Sequence, residues 1–346
     1  METIWFCLIA FSLTMYVLLD GFDLGAGILH LFIAKTDAER TTVLLTVGPV
    51  WDGNEVWLVV SAGTIFAVFP ALYATAFSGF YLPLMMVLWL VVGRALGIEF
   101  RHQIDSPLWR PAWDAIFCLS SGALALFFGV ALGNVARGVP IDATGSFFEP
   151  LWTDFSPQRA TGILDPYTLL AGLTAVAALA HHGALWVSMK TEGDLRDRAR
   201  RAARAVGWAA VGCTVLVTLW TRGLQPHMAA RFAAQPWGWL FPLVAVAGLA
   251  AAHRFRRKGR DLPAFLGSCA YLSGMMASVA FSIYPFVLPS STDPERGLTV
   301  HAAAAHPSSL RIALAWWIPG ILLAGGYFVF VYRKFAGKVT PNDDHY

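Results

Sequence analysis

Nine apolar stretches, each long enough to cross a lipid bilayer, recur along this 346-residue chain. The hydrocarbon core is about 30 Å thick, and a helix needs about 20 residues to cross it. Because lipid offers no hydrogen-bond partners to the backbone, these stretches are expected to be helices. Only 14% of the residues are charged, against about 25% in a soluble domain. We predict an all-α polytopic membrane protein, a single integral membrane domain over residues 1–346. The predicted helices are 3–34, 50–71, 75–98, 113–136, 163–189, 205–221, 237–253, 262–287 and 309–332.

The distribution of basic residues predicts the orientation of the chain. Of the 25 Lys and Arg residues, 18 follow odd-numbered helices and six follow even-numbered ones. Cytoplasmic loops carry the excess of Lys and Arg, so the N-terminus is predicted outside and the C-terminus in the cytoplasm. The net charge of +3 is thus an orientation signal, and no nucleic-acid partner is predicted. The basic runs 196–204 and 254–260 either flank the helices as stop-transfer signals or contact anionic membrane lipid.

Two pairs of carboxylates lie within the apolar stretches, where charge is expensive. Asp20 and Asp23 interrupt the first stretch, and Asp52 and Glu55 open the second. A charged side chain in the bilayer centre costs at least about 2.5–3.5 kcal/mol, and a spacing of three places both members of each pair on one helix face. The pairs indicate either a route for protons or ions, or a hydrogen-bond network that holds helices together. Asp52 could instead be a simple helix cap.

An arginine within the third stretch needs a partner. Arg94 lies late in that helix, at a depth similar to that of Asp52 on the preceding antiparallel helix. We predict either an Arg94–Asp52 ion pair or snorkelling of Arg94 to the headgroups. His30, near the inner end of the first helix, either extends the acid cluster or lies at the interface.

The histidines and cysteines give little indication of a metal site. His181 and His182 are adjacent, so on a helix they point about 100° apart and are expected to be packed and hydrogen-bonded. The four cysteines are scattered, without a Cys-x-x-Cys motif, which indicates neither a disulfide framework nor a thiolate site. We therefore predict no metal site within this chain.

Five segments of the chain are similar to subunit II of the cytochrome bd quinol oxidases, including the cyanide-insensitive oxidase branch. These segments are Leu19–Gly25, Trp51–Trp57, Ala76–Tyr81, Gly133–Pro140 and Pro285–Thr292. The resemblance implies two four-helix bundles plus one peripheral helix in the bacterial cytoplasmic membrane. It also implies a complex with subunit I and, in some members, a small accessory subunit. Such a complex oxidises quinol and reduces dioxygen to water with protons from the cytoplasm.

The resemblance further implies that this chain is not catalytic alone and binds no haem by itself. Haem b and haem d are expected in the complex, with their axial ligands supplied by subunit I. Some members hold a structural quinone in subunit II, and nothing in this sequence locates one. The matching positions for a proton route are Asp20 or Asp23 and Asp52, supported by Trp51 and Arg94; Glu55 is a further candidate.

Two other functions remain alternatives. A secondary transporter would use Asp20, Asp23 and Asp52 as ion or substrate ligands at a broken first helix. A purely structural partner would use the acids only to hold helices together. For the surface that meets subunit I, we predict the first three helices, with close approach at small residues. These residues are Gly21, Gly25, Gly27, Ser78 and Gly79.

Overall fold

The computed structural model describes residues 1–152 and 162–339, and thirteen α-helices account for most of this part. The first seven are α1 (Glu2–Ile33), α2 (Asp37–Val47), α3 (Trp51–Val68), α4 (Pro70–Gly79), α5 (Tyr81–Phe100), α6 (Trp109–Arg137) and α7 (Pro166–Lys190). The remaining six are α8 (Gly193–Leu224), α9 (Pro226–Ala234), α10 (Leu240–Arg257), α11 (Asp261–Ile283), α12 (Val300–Ala303) and α13 (Pro307–Lys334). Two 3₁₀ helices, Pro236–Trp239 and Pro294–Arg296, and two antiparallel strands, β1 (Phe286–Leu288) and β2 (Leu298–Thr299), complete the described structure.

Eight helices of the described part are long and apolar enough to cross a membrane, which confirms the predicted fold class. They are α1, α5, α6, α7, α8, α10 with its preceding 3₁₀ turn, α11 and α13. The predicted second span corresponds to α3, whose 18 residues include Asp52 and Glu55. The count of nine spans and their grouping into two bundles plus a peripheral helix stay predictions.

The predicted third helix begins later than expected. Residues 70–79 form the separate helix α4, and α5 begins only at Tyr81. The cause is Pro83, which has no backbone N–H to donate to the Gly79 carbonyl and whose ring crowds that carbonyl. Pro70, by contrast, occupies the first turn of α4, where a missing N–H costs nothing. The chain therefore bends twice between α3 and α5.

The basic segments extend the helices beyond their apolar stretches. α8 runs over Gly193–Leu224, whereas its apolar stretch predicts only 205–221. The short helix α2, which hydropathy does not reveal, begins with a capping box in which Thr36 and Glu39 satisfy each other's backbone N–H groups. Glu39 also forms an ion pair with Arg198 of α8. α2 is thereby anchored to the end of the longest basic helix.

α1 and α7 pack with their backbones in contact at the centre of the molecule. A Cβ atom on Gly25 would overlap the Leu179 carbonyl oxygen and Gly183, and one on Gly27 would overlap Ser121 of α6. A Cβ on Gly79 would overlap Phe147 of the same chain. The prediction that these glycines form a surface for a partner is therefore wrong, because α6, α7 and residue 147 of this chain already occupy them.

α1 is continuous through its glycine-rich segment. It runs unbroken over 32 residues, with Asp20, Asp23 and the glycines all buried inside the molecule. The transporter hypothesis depends on a break at this point, where unwound backbone would coordinate an ion. The continuous helix removes that feature.

Candidate functional site

Arg94 lies at the centre of a buried charged cluster contributed by three helices. Its Nη1 atom donates to Asp20 Oδ1 at 2.7 Å, and its Nη2 atom donates to Glu55 Oε2. Arg94 is only 1% exposed and Asp20 is fully buried. α1, α3 and α5 are thus joined by one guanidinium, whose planar fork can hold two carboxylates at once.

The predicted Arg94–Asp52 ion pair is wrong. Arg94 binds Asp20 and Glu55 instead, and Asp52 is exposed one turn before Glu55 on α3. Hydropathy predicts the depth of a residue in the membrane, but it does not predict which way a helix is rotated about its axis. The observed rotation turns Glu55 towards α5 and leaves Asp52 at the surface.

A second chain of hydrogen bonds connects Asp23 to α13. Asn54 Nδ2 donates to Asp23 Oδ2 at 2.8 Å and to the Leu19 carbonyl oxygen at 3.1 Å. The hydroxyl of Tyr332 donates to Asn54 Oδ1 at 2.9 Å. Asn54 therefore fixes the orientation of Asp23, a role that its position between Asp52 and Glu55 did not reveal. The sequence did not indicate that Tyr332 belongs to this hydrogen-bond chain, since it is one of many aromatic residues in an apolar stretch.

Each acid of the cluster keeps one oxygen free. Asp20 Oδ2, Asp23 Oδ1 and Glu55 Oε1 are buried and have no hydrogen-bond partner in the part of the chain that the structure describes. Buried acceptors of this kind are costly unless a proton or water satisfies them. The arrangement can therefore hold protons or water molecules between the three carboxyl groups.

Trp51 packs against an apolar group formed by Leu44, Ile98 and Phe117. These residues come from α2, α5 and α6, so Trp51 anchors the start of α3 to its neighbours. The expectation that Trp51 supports a proton route beside Arg94 stays a prediction.

A second buried ion cluster, which sequence reasoning missed, lies where α1, α2, α5 and α6 meet. Asp114 Oδ1 lies 2.7 Å from His30 Nε2 and accepts a 2.6 Å hydrogen bond from Arg101 Nε. Arg40 and Arg101 both donate to Asp114 Oδ2, and Arg101 also reaches Asp37. His30 therefore belongs to this cluster and does not extend the carboxylates around Arg94. In the sequence, this cluster could have been found from Asp114, an acid at the start of an otherwise apolar stretch.

The two adjacent histidines of α7 are packed against neighbouring helices. His182 Nδ1 lies 2.7 Å from Ser268 Oγ, and its Nε2 lies 3.0 Å from the Leu18 carbonyl oxygen. His181 Nδ1 lies 2.9 Å from the Ala203 carbonyl oxygen, and its ring stacks on His253. A Cβ on Gly207 would lie 2.8 Å from His181 Nδ1, so α8 closely covers this ring. Both rings are buried, and His181 Nε2 has no hydrogen-bond partner within the described residues.

Comparison with known proteins gives a family match over nearly the whole chain. The sequence model of the family described as cytochrome bd terminal oxidase subunit II matches residues 1–335. The probable cytochrome oxidase subunit 2 of Haemophilus influenzae is 32% identical, covering 98% of this chain and 95% of the relative. The cytochrome bd-I ubiquinol oxidase subunit 2 of Escherichia coli K12 is 30% identical with the same coverage. The cytochrome bd ubiquinol oxidase subunit 2 of Bacillus subtilis is 30% identical, covering 99% and 98%.

The fold is also similar to a solved structure. A chain of the bd oxidase from Geobacillus thermodenitrificans superimposes with a TM-score of 0.77, covering 96% of this chain and 98% of that chain. The two sequences are 18% identical. The superposition supports the arrangement of helices over nearly the full length of both chains.

Proposed function

This chain belongs to the cytochrome bd terminal oxidase subunit II family, and from this premise we propose that it supports a haem-bearing subunit I and helps line a proton route to it. The family makes it a subunit of an oxidoreductase complex, with subunit I as its partner. The proposed reaction of the complex is oxidation of quinol and reduction of dioxygen to water. The proposed cofactors, haem b and haem d, are assigned to subunit I.

The observation that carries the proton route is the imbalance of charge around Arg94. Asp20 and Glu55 both bind the one guanidinium, Asp23 lies within electrostatic range of it, and each of the three carboxyl groups keeps an unpaired oxygen within the described residues. Three full negative charges beside one positive charge would be costly at this depth, because like charges and desolvation both disfavour ionisation. The cluster is thus suited to hold a proton that can pass between acids.

Asp52 is the proposed point at which protons reach this cluster from water. It is exposed, and Glu55 lies one turn further along the same face of α3. The start of α3 follows the loop that carries Lys35 and Arg40, on the side that the distribution of basic residues predicts to be cytoplasmic. The proposed order is Asp52, Glu55, and then Asp20 or Asp23.

The open face of α3 is the proposed contact with subunit I. Asp52, Val59 and Phe66 are exposed along one stripe, and Gly63 on that stripe has no neighbour close to its Cβ position. A face that bears Asp52 and part of Glu55 is poorly suited to lipid, where charge is costly. A partner protein can supply polar groups for these acids, so the proton route would end at the partner.

The test is oxygen consumption per assembled haem in the complex that carries Glu55→Gln or Asp52→Asn. We expect turnover to fall about 10²-fold or more for Glu55→Gln, as for loss of an essential proton-transfer group, with a smaller loss for Asp52→Asn. Each amide keeps the shape of the side chain but cannot release a proton near neutral pH.

The matched control is Asp293→Asn, which changes an exposed acid that pairs with Arg296 near β1 and β2. Normal turnover per haem in both Glu55→Gln and Asp52→Asn would contradict the proton route. If only Asp52→Asn had normal turnover, protons would have to reach Glu55 from water at a point other than Asp52.

A further inference from the structure

A basic cavity lies between α8 and α10, remote in sequence from the residues assigned above. Its volume is about 390 Å³, and Trp208, His253, Arg254, Arg257 and Lys258 line it together with Ala250. The ring of His253 lies 5.1 Å from that of Trp208, and its Nδ1 is 3.0 Å from the Leu249 carbonyl oxygen. These contacts fix an aromatic wall opposite the cationic side chains.

The cations around this cavity form no ion pair with a carboxylate among the described residues. Arg256 is 8% exposed and lies within electrostatic range of Arg200, Arg204 and Arg257. Within residues 1–152 and 162–339, no salt bridge to a carboxylate is formed by Arg200, Arg204, Arg254, Arg256, Arg257 or Lys258. Like charges held this close repel one another, and the repulsion is relieved when an anion binds between them.

Apolar stripes lead from the cavity along both helices. On α10, the exposed residues Leu243 and Val246 continue the face of Ala250, Arg254 and Arg257 at spacings of three, four and seven. On α8, Trp208, Val215 and Leu219 are exposed along one face, one turn beyond Arg204. Each helix therefore presents cations at one end, an aromatic or small residue next, and aliphatic side chains towards the membrane centre.

We propose that this cavity binds the phosphate of an anionic phospholipid, whose acyl chains lie along the two apolar stripes. Lys and Arg clusters beside membrane helices attract anionic headgroups, with about 1 kcal/mol contributed per basic residue. Tryptophan favours the boundary between headgroup and acyl chain, and Trp208 lies on α8 between the cation Arg204 and the aliphatic stripe. The aliphatic stripes select a lipid over free phosphate, and the surplus of cations selects an anionic lipid over a zwitterionic one.

The test uses the purified complex of this chain with subunit I. The complex is placed in nanodiscs of phosphatidylcholine with a minor fraction of phosphatidylglycerol, released into detergent, and examined by native mass spectrometry for retained lipid. The variant is Arg254→Gln with Arg257→Gln, and a second variant with Lys at both positions keeps the charge. The control is Arg333→Gln with Lys334→Gln, two cations at the end of α13.

We expect the wild-type complex to retain phosphatidylglycerol and the Gln double variant to bind it roughly thirtyfold more weakly. The Lys double variant and the α13 control should stay close to the wild type. Equal retention by wild type and the Gln double variant would overturn the proposal. Retention of phosphatidylcholine equal to that of phosphatidylglycerol, or equal weakening of lipid binding in the α13 control, would also overturn the proposal. Displacement of the lipid by inorganic phosphate, or a position of subunit I over the cavity, would overturn it as well.

Discussion

At the scale of single residues, Arg94 has the largest effect on the proposed site, because it is the cation that binds both Asp20 and Glu55. Removing it leaves Asp20 and Glu55 buried without a counter-charge, which costs about 3–5 kcal/mol for a buried pair. We predict that Arg94→Gln sharply lowers the yield of assembled complex. Arg94→Lys should restore part of it, since an ammonium can reach one carboxylate but lacks the fork that holds two.

The measurement for Arg94 is the amount of complex recovered with its haem after mild detergent purification. Arg311→Gln is the control, because it removes an exposed arginine near the start of α13. Equal yields for Arg94→Gln and the control would mean that the buried acids are stable without the guanidinium.

The backbone contact between α1 and α7 gives a second prediction at this scale. Gly25→Ala adds a methyl group where the Leu179 carbonyl oxygen and Gly183 already lie, and such overpacking costs about 1–3 kcal/mol or more. We expect Gly25→Ala to lower the thermal stability of the complex. Gly320→Ala adds the same group to α13, where nothing lies within 4 Å of it, and should not destabilise the protein. Destabilisation by Gly320→Ala and not by Gly25→Ala would contradict the tight contact between α1 and α7.

At the scale of helices, the sequence predicts most of the fold, since most apolar stretches match the long helices to within about four residues at each end, whereas α8 begins 12 residues before its stretch and α5 begins six residues after its own. The prediction is less accurate where hydropathy competes with another determinant of helix boundaries, such as a proline or a helix cap. Pro83 divides an apolar run into α4 and α5, and α2 depends on its capping box and its ion pair with α8. The candidate acids were found because charge is conspicuous among apolar residues. The carboxylates that bind Arg94 were not identified from the sequence, because the rotation of each helix about its axis depends on the packing of all its neighbours.

The ion pair between α2 and α8 predicts a pH-dependent contribution to stability. Partial burial opposes ionisation of Glu39, but backbone hydrogen bonds from Lys35 and Thr36 and the contact with Arg198 outweigh it and lower its pKa below the ordinary value of 4.5. A lowered pKa in the folded state means that the charged form stabilises the fold above about pH 4.5. The stabilisation is lost as the pH falls through the lower folded value.

We therefore expect Glu39→Gln to lower thermal stability at neutral pH by less than about 1 kcal/mol, because the pair is partly exposed to solvent. The difference from the wild type should vanish under acidic conditions. Thermal unfolding of the detergent-solubilised complex at several pH values measures the deficit at neutral pH and its disappearance at low pH. Glu99→Gln, at an exposed position near the end of α5, is the control. A deficit of Glu39→Gln that persists at low pH would show that its charge is not the cause.

At the scale of the whole molecule, the described helices use their small and polar residues inward and leave apolar faces outward. α1 and α7 form the central contact, whereas α3, α5 and α13 expose large apolar side chains such as Val59, Trp89 and Trp316. α8 and α10 expose a comparable apolar surface that ends at the basic cavity, whereas α13 ends in two cations, Arg333 and Lys334. The distribution of charge thus separates two outer faces: one with carboxylates that needs a protein partner, and one with arginines that suits anionic lipid.

Two valines test this assignment, because Val59 of α3 and Val246 of α10 are each 68% exposed. A photo-crosslinking amino acid at position 59 should attach subunit I, since the face that carries Asp52 and Glu55 is the proposed interface. The same amino acid at position 246 should attach only lipid. The products are read by gel electrophoresis and mass spectrometry after irradiation of intact membranes. Because both positions lie on helices and have equal exposure, a difference between them reports the identity of the neighbour. Attachment of subunit I at position 246 and not at 59 would reverse the assignment of the two faces.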